Sequence, residues 1–515
     1  MKKITFLLLG AAFLLGAAGC TSTEKIASFS VSCDSAVLAS VPATGGTYTL
    51  TATWANCKFR VSADASFVTL PSYVYVGDVS GSGSRDLEIT VAPNTSSASR
   101  TAVLSFTQTD GEPAPAVPEV TVVQAGVPKV TASVTLSPGT TYQSWDGFGA
   151  MNGWGSSDYW TSSETDLLMK SLGLNIMRVR IPSSKTNWKD LLESCAYVND
   201  TYGGIVLASP WTMPAEWKTT GSLNGKTSDA ESHLLAEHYG DYALYLEEFA
   251  SYMKESGAPV YAVSVQNEPD WPAEYEGCVW TADEHLAFVR DYGSLVKSAL
   301  LVTGESMSSK HSFYDPVLKD ETACGNIDIV GGHLYGAKPQ SYSLASDKGK
   351  RLWMTEHLLN ENWSDWSETM DMATEILQCL TTGWNAYIWW YGRRYYSLIG
   401  DGAEGTSKGT ILKRGHAFGQ FSRYIRPGDV RIGVSLSGAD GISATAFRGS
   451  DHTVVLLLNT TGSDKDVTVD MGSSASGAAA TCTTASSSAA EVALTVQGNR
   501  VELSLPSKSI TSIRM

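Results

Sequence analysis

The sequence has no pair of cysteines at the close spacing that is typical of zinc and redox sites. It contains 8 cysteines in 515 residues, and none of them forms a CxxC pattern. We therefore predict no metal, no redox centre and no cofactor. Cys33 and Cys57 lie in strand-like runs of one predicted domain, so they either pair, if the protein is exported, or remain free thiols.

Positive charge is also scarce. The chain has 37 Lys and Arg residues against 53 Asp and Glu residues, which gives a net charge of −16. Such a surface would repel a phosphate backbone, so we expect no nucleic-acid partner. Apolar and aromatic residues are plentiful: 43% of the chain is hydrophobic and 15 residues are tryptophan. The composition predicts a globular chain of two or three domains, whose tryptophans serve either core packing or the stacking of sugar rings.

The N-terminal apolar run is too short and too interrupted by glycine to form a stable membrane-spanning helix. It covers residues 4–18 and ends in small residues before Cys20. This segment resembles a bacterial lipoprotein signal, which implies removal of residues 1–19 and acylation of Cys20. Thr21 in place of aspartate points to the outer membrane, facing either the periplasm or the cell surface. Plain secretion is the alternative, because Ala17 stands where such signals usually have leucine.

Residues 29–126 have the pattern of an all-β domain. Apolar and polar residues alternate between glycine-rich turns, which predicts an immunoglobulin-like β-sandwich after a linker over residues 20–28. The domain resembles the BACON family of Bacteroidetes sandwich modules in its motifs Gly45-Gly46-Thr47, Val91-Ala92-Pro93-Asn94-Thr95, Ser99-Arg100-Thr101 and Val122-Val123-Gln124-Ala125-Gly126. The resemblance implies a spacer that lifts the rest of the chain off the membrane, or a glycan-binding module.

Residues 145–426 change to a repeated alternation of strand and helix. Eight runs are continuously apolar, as expected for parallel strands that helices cover. They are Phe148–Met151, Asn175–Ile181, Gly204–Ser209, Val260–Val265, Leu300–Thr303, Ile327–His333, Leu352–Thr355 and Ala386–Trp390. Helical patterns fill the gaps, and Thr281 with Glu284 forms a capping box at one helix start. This part of the chain is therefore predicted to be an α/β fold, a (β/α)8 TIM barrel.

Residues 427–515 return to alternating strands, such as Val454–Leu458 and Val501–Leu505. Together with residues 127–144, which precede the barrel, they predict a β-sandwich side domain built from both ends of the catalytic part of the chain. Residues 473–490 are rich in Ser, Ala and Thr, and this composition predicts a long, poorly ordered loop.

Two glutamates stand at the ends of apolar strand-like runs. Glu268 ends the fourth predicted barrel strand and Glu356 the seventh, and the C-terminal strand ends of a barrel open into one cleft. A buried carboxylate costs free energy unless it is paired or has a chemical role. Two carboxyls in one cleft, one protonated and one ionised, are the minimal equipment for cleaving a glycosidic bond. For either residue alone, a buried ion pair is the alternative.

Neighbouring side chains can hold these two carboxyls in different ionisation states. The candidates are Pro269, Trp271 and Trp280 for excluding water from the first, Arg178 or Arg180 for keeping the second as a carboxylate, and His333 or Tyr335 for donating to it.

Six motifs follow one another along residues 130–515. They are Ser209-Pro210-Trp211, Val265–Trp271, Met354–His357, Trp389–Tyr396, Lys413–His416 and Ile425–Gly428. In sequence and order they are similar to glycoside hydrolase family 30, and most like subfamily 8, the glucuronoxylan endo-xylanases. The resemblance implies a retaining mechanism with Glu268 as acid/base and Glu356 as nucleophile. It further implies that Asn267 binds the substrate 2-hydroxyl and that the sugar subsites are lined by Trp211, Trp271, Tyr335 and Trp390.

Arg394 and Tyr396 bear on the identity of the substrate. In subfamily 8 the corresponding arginine and tyrosine bind a glucuronate branch, and arginine can hold a carboxylate with two hydrogen bonds. The alternative is a structural ion pair between Arg394 and the nearby Asp401 or Glu404.

The resulting expectation is a monomeric, retaining endo-β-1,4-xylanase that acts on glucuronoxylan or a related branched xylan. Two further glucuronate contacts of the subfamily fall on Leu358, which cannot donate a hydrogen bond, and on Glu361, which would repel an acidic branch. A family 30 xylanase for linear or arabinose-bearing xylan is therefore an alternative. A β-1,6-glucanase of the same family is another, although Arg393 and Arg394 argue against it. A non-catalytic glycan-binding lipoprotein is the last, against which the intact glutamate pair argues.

Overall fold

The computed structural model describes residues 26–515, except for residues 97, 118, 127–131, 360 and 363. The predicted targeting segment with Cys20 lies outside the described residues. The chain divides into two compact units, residues 1–129 and 130–515, and each has its own hydrophobic core. Within the described part of the chain, no helix combines the length and the apolar character that a membrane crossing requires.

The first unit is an antiparallel β domain. Its strands are β1 (Ser28–Ser32), β2 (Gly46–Ala63), β3 (Val68–Thr69), β4 (Tyr75–Val91), β5 (Arg100–Gly111) and β6 (Val120–Gln124), with one short helix, α1 (Ser35–Leu38). The strands form one sheet in the order β3-β4-β2-β5-β6, and β1 pairs with β2. Alternate residues of the long strands β2 and β4 point into the core, as the alternating sequence predicts. Cys33 and Cys57 are both free thiols.

The second unit begins with β7 (Ala132–Ser144) and continues into a closed barrel of eight parallel strands. The barrel strands are β8 (Gly147–Met151), β9 (Ile176–Ile181), β10 (Ile205–Pro210), β11 (Ala262–Ser264), β12 (Leu300–Val302), β13 (Ile329–His333), β14 (Arg351–Glu356) and β15 (Ala386–Trp389). Each of them overlaps one of the eight predicted apolar runs, so the predicted TIM barrel is confirmed. Its interior is filled by apolar side chains such as Leu207, Val302 and Trp353.

Helices surround the barrel and lie in the gaps between its strands, as predicted. They are α2 (Ser162–Asp166), which continues as a π-helix over Leu167–Ser171, α3 (Leu192–Tyr202), α4 (Tyr239–Glu255), α5 (Ala282–Tyr292), α6 (His311–Lys319), α7 (Glu321–Asn326), α8 (Ser343–Asp347), α9 (Trp366–Thr381) and α10 (Lys413–Ser422). Thr281 and Glu284 form the predicted capping box, in which each side chain accepts from the other residue's backbone N–H.

The side domain is a ten-stranded sheet that includes β7. Its other strands are β16 (Val430–Ser437), β17 (Ile442–Arg448), β18 (Thr453–Asn459), β19 (Lys465–Asp470), β20 (Ala479–Thr483), β21 (Ala490–Val492), β22 (Leu494–Gln497), β23 (Arg500–Leu505) and β24 (Ser509–Arg514). Successive side chains of β18 point alternately into two different hydrophobic cores. Leu456 and Leu458 belong to the core shared with the barrel, whereas Val455 and Leu457 belong to the core of the side domain.

The predicted loop over residues 473–490 is wrong in its middle part. Residues 479–483 form β20, which pairs with β24 on one side and with β21 on the other. Ala480 and Cys482 are buried in this strand. Small side chains lowered the apparent β character of the segment, but cross-strand hydrogen bonding and burial, which depend on residues far away in sequence, determine its conformation.

Candidate active site

The two predicted catalytic glutamates lie together at the C-terminal ends of the barrel strands. Glu356 is the last residue of β14, and Glu268 follows β11. A carboxylate oxygen of each and a ring nitrogen of His333 all lie within 4.8 Å of one another. Glu268 has a φ of 45°, a left-handed conformation that is uncommon for residues other than glycine and that is found at functional sites. Both carboxyls are nearly buried.

Glu356 is held by two donors that the sequence proposed as candidates. Arg178 Nη1 lies 2.5 Å from Glu356 Oε2, and the Tyr335 hydroxyl donates to Oε1 at 2.9 Å. Burial raises the pKa of Glu356, while the positive charges of His333 and Arg178 oppose that rise. Arg178, rather than Arg180, is therefore the cation on this carboxylate; Arg180 pairs with Glu276 instead.

Glu268 contacts a different set of side chains. His333 Nδ1 lies 3.1 Å from Glu268 Oε1, and the Tyr275 hydroxyl lies 3.4 Å from Oε2. Trp271 borders the same cleft, as predicted. Trp280 does not, because its ring packs in the core against Tyr239 and Phe288.

A third carboxylate, Glu305, completes the cluster and was not predicted. It is fully buried and lies 3.2 Å from Arg178 Nη2 and 3.8 Å from His333 Nε2. Burial, the largest single influence, would raise the pKa of Glu305, but Arg178, His333 and Ser209 together outweigh it and lower the pKa to about 2. Burial would lower the pKa of His333, yet Glu356, Glu268 and Glu305 together raise it to about 9.

Three of these side chains, Glu268, His333 and Glu356, are of types that bind metal ions elsewhere and lie close enough together to do so. Here each already has a protein partner. Arg178 neutralises Glu356 directly, and His333 carries a proton among the carboxylates at neutral pH. A divalent ion would add its charge to two cations already present. We therefore assign no metal to the cluster and interpret it as a site for proton transfer.

Asn267 is fixed by the same arginine. Arg178 Nη2 donates to Asn267 Oδ1 at 2.6 Å. With its oxygen engaged in this way, the amide has its Nδ2 group left to donate to a ligand.

Aromatic side chains form the walls of a cleft of about 520 Å³ around the two glutamates. Its lining residues are Trp154, Trp211, Glu268, Trp271, Tyr275, Met307, Tyr335, Glu356, Trp390 and Tyr391. All four predicted subsite aromatics are among them. Trp211 makes ring contacts with both Trp154 and Trp390, at centroid distances of 5.3 and 6.0 Å. Flat apolar walls with a few polar groups are typical of a binding site for sugar rings.

Arg394 lies beside the cleft, but a carboxylate of the protein already holds it. Its Nη1 donates to Asp158 Oδ1 at 2.8 Å, and its Nη2 contacts Asp158 Oδ2. Its guanidinium also stacks on Tyr391, 4.1 Å from the ring centroid. The structural ion pair that we weighed for Arg394 therefore exists, with Asp158 as its partner instead of the proposed Asp401 or Glu404. Tyr396 is buried in the apolar cluster behind the cleft.

Two loops that border the cleft are joined by a buried lysine that sequence reasoning missed. Lys218 Nζ lies within hydrogen-bond distance of four oxygens: the carbonyls of Leu223, Asn224 and Gly277 and the Thr212 hydroxyl. Burial lowers the pKa of Lys218 to about 8. This side chain ties the loop after β10 to the loop after β11, which carries Trp271 and Tyr275.

The missed residues differ in how visible they are in the sequence. Glu305 follows the apolar run of β12 as Glu268 follows that of β11, so the same strand-end criterion finds it. Asp158 ends a short 3-10 helix and Lys218 lies in a loop, so neither has a strand-end position. Their partners are distant in the sequence or are backbone carbonyls. No pattern in the sequence marks such contacts.

Family models match most of both units. The glycosyl hydrolase family 30 TIM-barrel domain matches residues 173–376, and the glycosyl hydrolase family 30 beta sandwich domain matches residues 428–513. The BACON family model matches residues 62–125 of the first unit. The models thus agree with the barrel, the side domain and the N-terminal β domain.

Known proteins of this family cover the second unit. The chain is 32% identical over 396 residues to the glucuronoxylanase XynC of Bacillus subtilis (strain 168). The aligned region covers 74% of this chain and 91% of that protein. Among solved structures it is similar to the family 30 subfamily 8 xylanase Xyn30A of Clostridium acetobutylicum, with a TM-score of 0.68 and 31% identity over 75% of this chain and 99% of that one. A family 30 endoxylanase from Clostridium papyrosolvens C71 gives a TM-score of 0.66 and 30% identity over the same shares.

The fold, the paired glutamates and these similarities agree with one another, and the chain belongs to glycoside hydrolase family 30.

Proposed function

We propose that this glycoside hydrolase is a retaining endo-β-1,4-xylanase that acts on glucuronoxylan or a related branched xylan. The similarity to the Bacillus glucuronoxylanase and to the two Clostridium xylanases supports the substrate class. The cleft, in which several aromatic side chains surround both glutamates, supports binding of more than one sugar ring and therefore internal cleavage.

The observation that carries the mechanism is the short separation of Glu268 and Glu356, whose nearest carboxylate oxygens are at most 4.8 Å apart. Retaining glycosidases have their two carboxyls about 5–5.5 Å apart, whereas inverting enzymes need about 6.5–9.5 Å to admit a water molecule. The measured proximity supports direct attack by a carboxylate on the sugar.

In the first step Glu356 attacks the anomeric carbon, and the bond from that carbon to the glycosidic oxygen breaks. Glu268 gives its proton to the departing oxygen, so the leaving chain departs as an alcohol. Arg178 and Tyr335 orient Glu356 and favour its ionised form before the attack. Asn267, with its oxygen bound to Arg178, offers its amide protons to the sugar 2-hydroxyl as positive charge develops on the ring.

In the second step Glu268, now ionised, takes a proton from water, and the resulting hydroxide attacks the anomeric carbon. The ester to Glu356 breaks and the sugar is released with its original configuration. His333 and Tyr275, which both contact Glu268, are positioned to stabilise its ionised form between the steps.

A second candidate, a xylanase that does not depend on glucuronate, is favoured by the environment of Arg394. Asp158 occupies the guanidinium with two contacts. Glu361 is exposed nearby and accepts a hydrogen bond from Tyr395, and Leu358 packs against the apolar cluster that includes Tyr396. A glucuronate branch would therefore compete with Asp158 and meet the charge of Glu361.

Digestion of glucuronoxylan, arabinoxylan, linear xylan and a β-1,6-glucan, with mass analysis of the products, tests these assignments. Products that each carry one glucuronate at a fixed position support the first candidate. Equal rates on linear xylan support the second, and cleavage of the β-1,6-glucan alone would contradict both. Proton NMR of the first product formed distinguishes retention from inversion. Glu356→Gln should abolish turnover while its circular dichroism spectrum remains that of the wild type.

We further propose that Cys20 is acylated and that the protein is anchored to the outer membrane. The resemblance of residues 1–20 to a lipoprotein signal supports this. Metabolic labelling with radioactive palmitate should label the wild type and not Cys20→Ser, and separation of the membranes should find the label in the outer one. Equal labelling of the two proteins would contradict acylation at Cys20.

A further inference from the structure

Glu305 is a buried carboxylate that the two-step mechanism does not use. It follows β12, has no exposed surface and has no hydrogen bond of normal geometry on either oxygen within the described residues. Its backbone is tied to the strand end that carries the acid/base, because Glu268 N–H donates to the Glu305 carbonyl at 3.0 Å. A buried, imperfectly satisfied charge is costly, so its position next to Arg178 and His333 calls for a reason.

The charges of the cluster supply that reason. Two cations, Arg178 and His333, face three carboxylates, Glu268, Glu305 and Glu356. With all five groups charged, the cluster carries one net negative charge. In a poorly solvated site this excess favours the uptake of one proton. Arg178 contacts both Glu305 and Glu356, and the Tyr335 hydroxyl donates to Glu356. Glu268 is contacted by His333 and Tyr275 instead, so it is the carboxyl of the three that lacks the arginine.

Without Glu305 the balance would be different. The two cations would then be neutralised by Glu268 and Glu356 alone, and Glu268 would have no electrostatic reason to hold a proton. The enzyme would enter the first step with its acid already ionised.

We propose that Glu305 is a positioning residue whose charge, acting through Arg178 and His333, keeps a proton on Glu268 for donation to the leaving group. The proposal rests on the acid/base role of Glu268 in the proposed function. The low pKa of Glu305, about 2, and the high pKa of His333, about 9, agree with this distribution of charge.

Other groups also face the cluster, and they do not replace Glu305. Ser209 and Asn267 are neutral and contact Arg178. The remaining ionisable neighbours are Tyr275, Tyr335 and Tyr314, whose pKa values are all raised by burial and by nearby carboxylates, and Asp270, which pairs with Lys310. The tyrosines are neutral at physiological pH, and Asp270 has its own cation.

The test compares Glu305→Gln, which removes the charge and keeps the shape, with Glu305→Asp, which keeps the charge. Carbon-13 labelling of glutamate side chains and NMR titration report the protonation of Glu268 directly, with Glu268→Gln to assign its signal. We expect the ionisation midpoint of Glu268 to fall by about one to three pH units in Glu305→Gln and to stay near the wild-type value in Glu305→Asp. An unchanged or higher midpoint in Glu305→Gln would overturn the proposal.

Kinetics give a second, independent reading. The alkaline limb of kcat/KM on xylan should move to lower pH in Glu305→Gln by the same amount. The loss of kcat/KM near neutral pH should be much smaller for an aryl xylobioside with a good leaving group, because the aryl oxide leaves without a proton from Glu268. Equal losses on both substrates would indicate a merely structural role.

Two controls separate folding and function from the proposal. His333→Gln removes a positive charge instead of a negative one, so the midpoint of Glu268 should rise; a fall there would contradict the charge balance. If the wild type fails to cleave xylan, the proposed function is wrong, but the NMR titration still decides whether Glu305 controls the protonation of Glu268. If Glu305→Gln does not fold, two variants still test the proposal. Glu305→Asp keeps the negative charge and should leave the midpoint of Glu268 unchanged, whereas His333→Gln removes a positive charge and should raise it.

Discussion

At the scale of single residues, the site is determined by which charges are already neutralised inside the protein. Arg178 contacts Glu356, Glu305 and Asn267, so one guanidinium orients three side chains. Arg394, in contrast, is occupied by Asp158, which limits what it can offer a substrate. The same residue type thus positions three side chains in one place and is neutralised by a carboxylate of the protein in the other.

Asp158→Asn should make the enzyme more responsive to glucuronate. The substitution keeps the shape of the side chain but removes the charge that competes with an acidic branch. We expect the ratio of kcat/KM on glucuronoxylan to that on linear xylan to rise by up to about tenfold, equivalent to about 1.4 kcal/mol. Glu248→Gln, which breaks the exposed pair with Lys185, is the matched control. An unchanged ratio in Asp158→Asn would mean that Arg394 does not meet the branch.

Protonation of His333 should stabilise the fold in a defined pH range. Its pKa rises from 6.5 to about 9 on folding, so its contribution is complete below about pH 6.5 and is lost as the pH rises through about 9. Urea unfolding of the wild type and His333→Gln should therefore differ most near pH 6 and least near pH 10. The lowered pKa of Lys218 acts in the opposite direction but cancels in this comparison, since both proteins contain it. A difference that grows with pH would contradict the assignment.

The contacts of the site could be predicted only in part. Glu268, Glu356 and Asn267 were found because they sit in motifs at strand ends. The sequence does not choose between Arg178 and Arg180 as the cation on Glu356, because residues two apart on a strand point to the same face. The Asp158–Arg394 pair joins residues 236 positions apart, and local sequence carries no information about such a pairing.

At the scale of elements, the loops after β10 and β11 form one unit through Lys218. The ammonium group donates to three backbone carbonyls of the two loops, and one of them, that of Leu223, also accepts from the Gly277 N–H. Because the second loop carries Trp271 and Tyr275, Lys218 helps to shape the wall of the cleft beside Glu268.

Lys218→Met should weaken both the fold and substrate binding. The apolar side chain fills most of the space but leaves carbonyls unsatisfied, which costs on the order of 3 kcal/mol. We expect a lower Tm and a raised KM, with a smaller change in kcat because Glu268 and Glu356 keep their own contacts. Lys226→Met, in the same loop but in a partly exposed pair with Glu274, is the control and should be close to wild type. Equal effects of the two substitutions would argue against a role for the Lys218 hydrogen bonds in joining the two loops.

Strands and helices were easier to predict than loops, for a physical reason. Barrel strands are buried on both faces, so their composition is set by burial and stands out in the sequence. Strand β20 is not recognisable in this way, because its buried residues include the small Ala480 and Cys482 and the flanking sequence is rich in Ser and Thr. Its conformation comes from pairing with β24 and β21, which lie elsewhere in the chain.

At the scale of the whole molecule, two separate cores indicate two folding units. The described catalytic side chains all lie in residues 130–515. The side domain, in contrast, shares its core with the barrel through residues of β18, so the barrel and the side domain form one cooperative body.

Removal of residues 1–129 should leave the enzyme folded and active on soluble oligosaccharides. We expect kcat/KM on short xylo-oligosaccharides to stay within about twofold of the full chain, since residues 130–515 have their own core and contain the described site residues. Removal of residues 427–515 should instead give insoluble protein, because it exposes apolar barrel surface. A soluble, active barrel without the side domain would contradict the shared core.

Strand β7 imposes an order on the making of the protein. It lies between β16 and β19 in the finished sheet, yet it leaves the ribosome before the whole barrel and both of those partners. At about 5–20 residues per second, the wait for β16 is on the order of tens of seconds. During that time both edges of β7 are open to wrong partners. Strand β24, near the last residue, then enters the middle of the sheet between β18 and β20. The catalytic unit therefore cannot mature piece by piece behind the ribosome, and it is completed only after β24 has emerged.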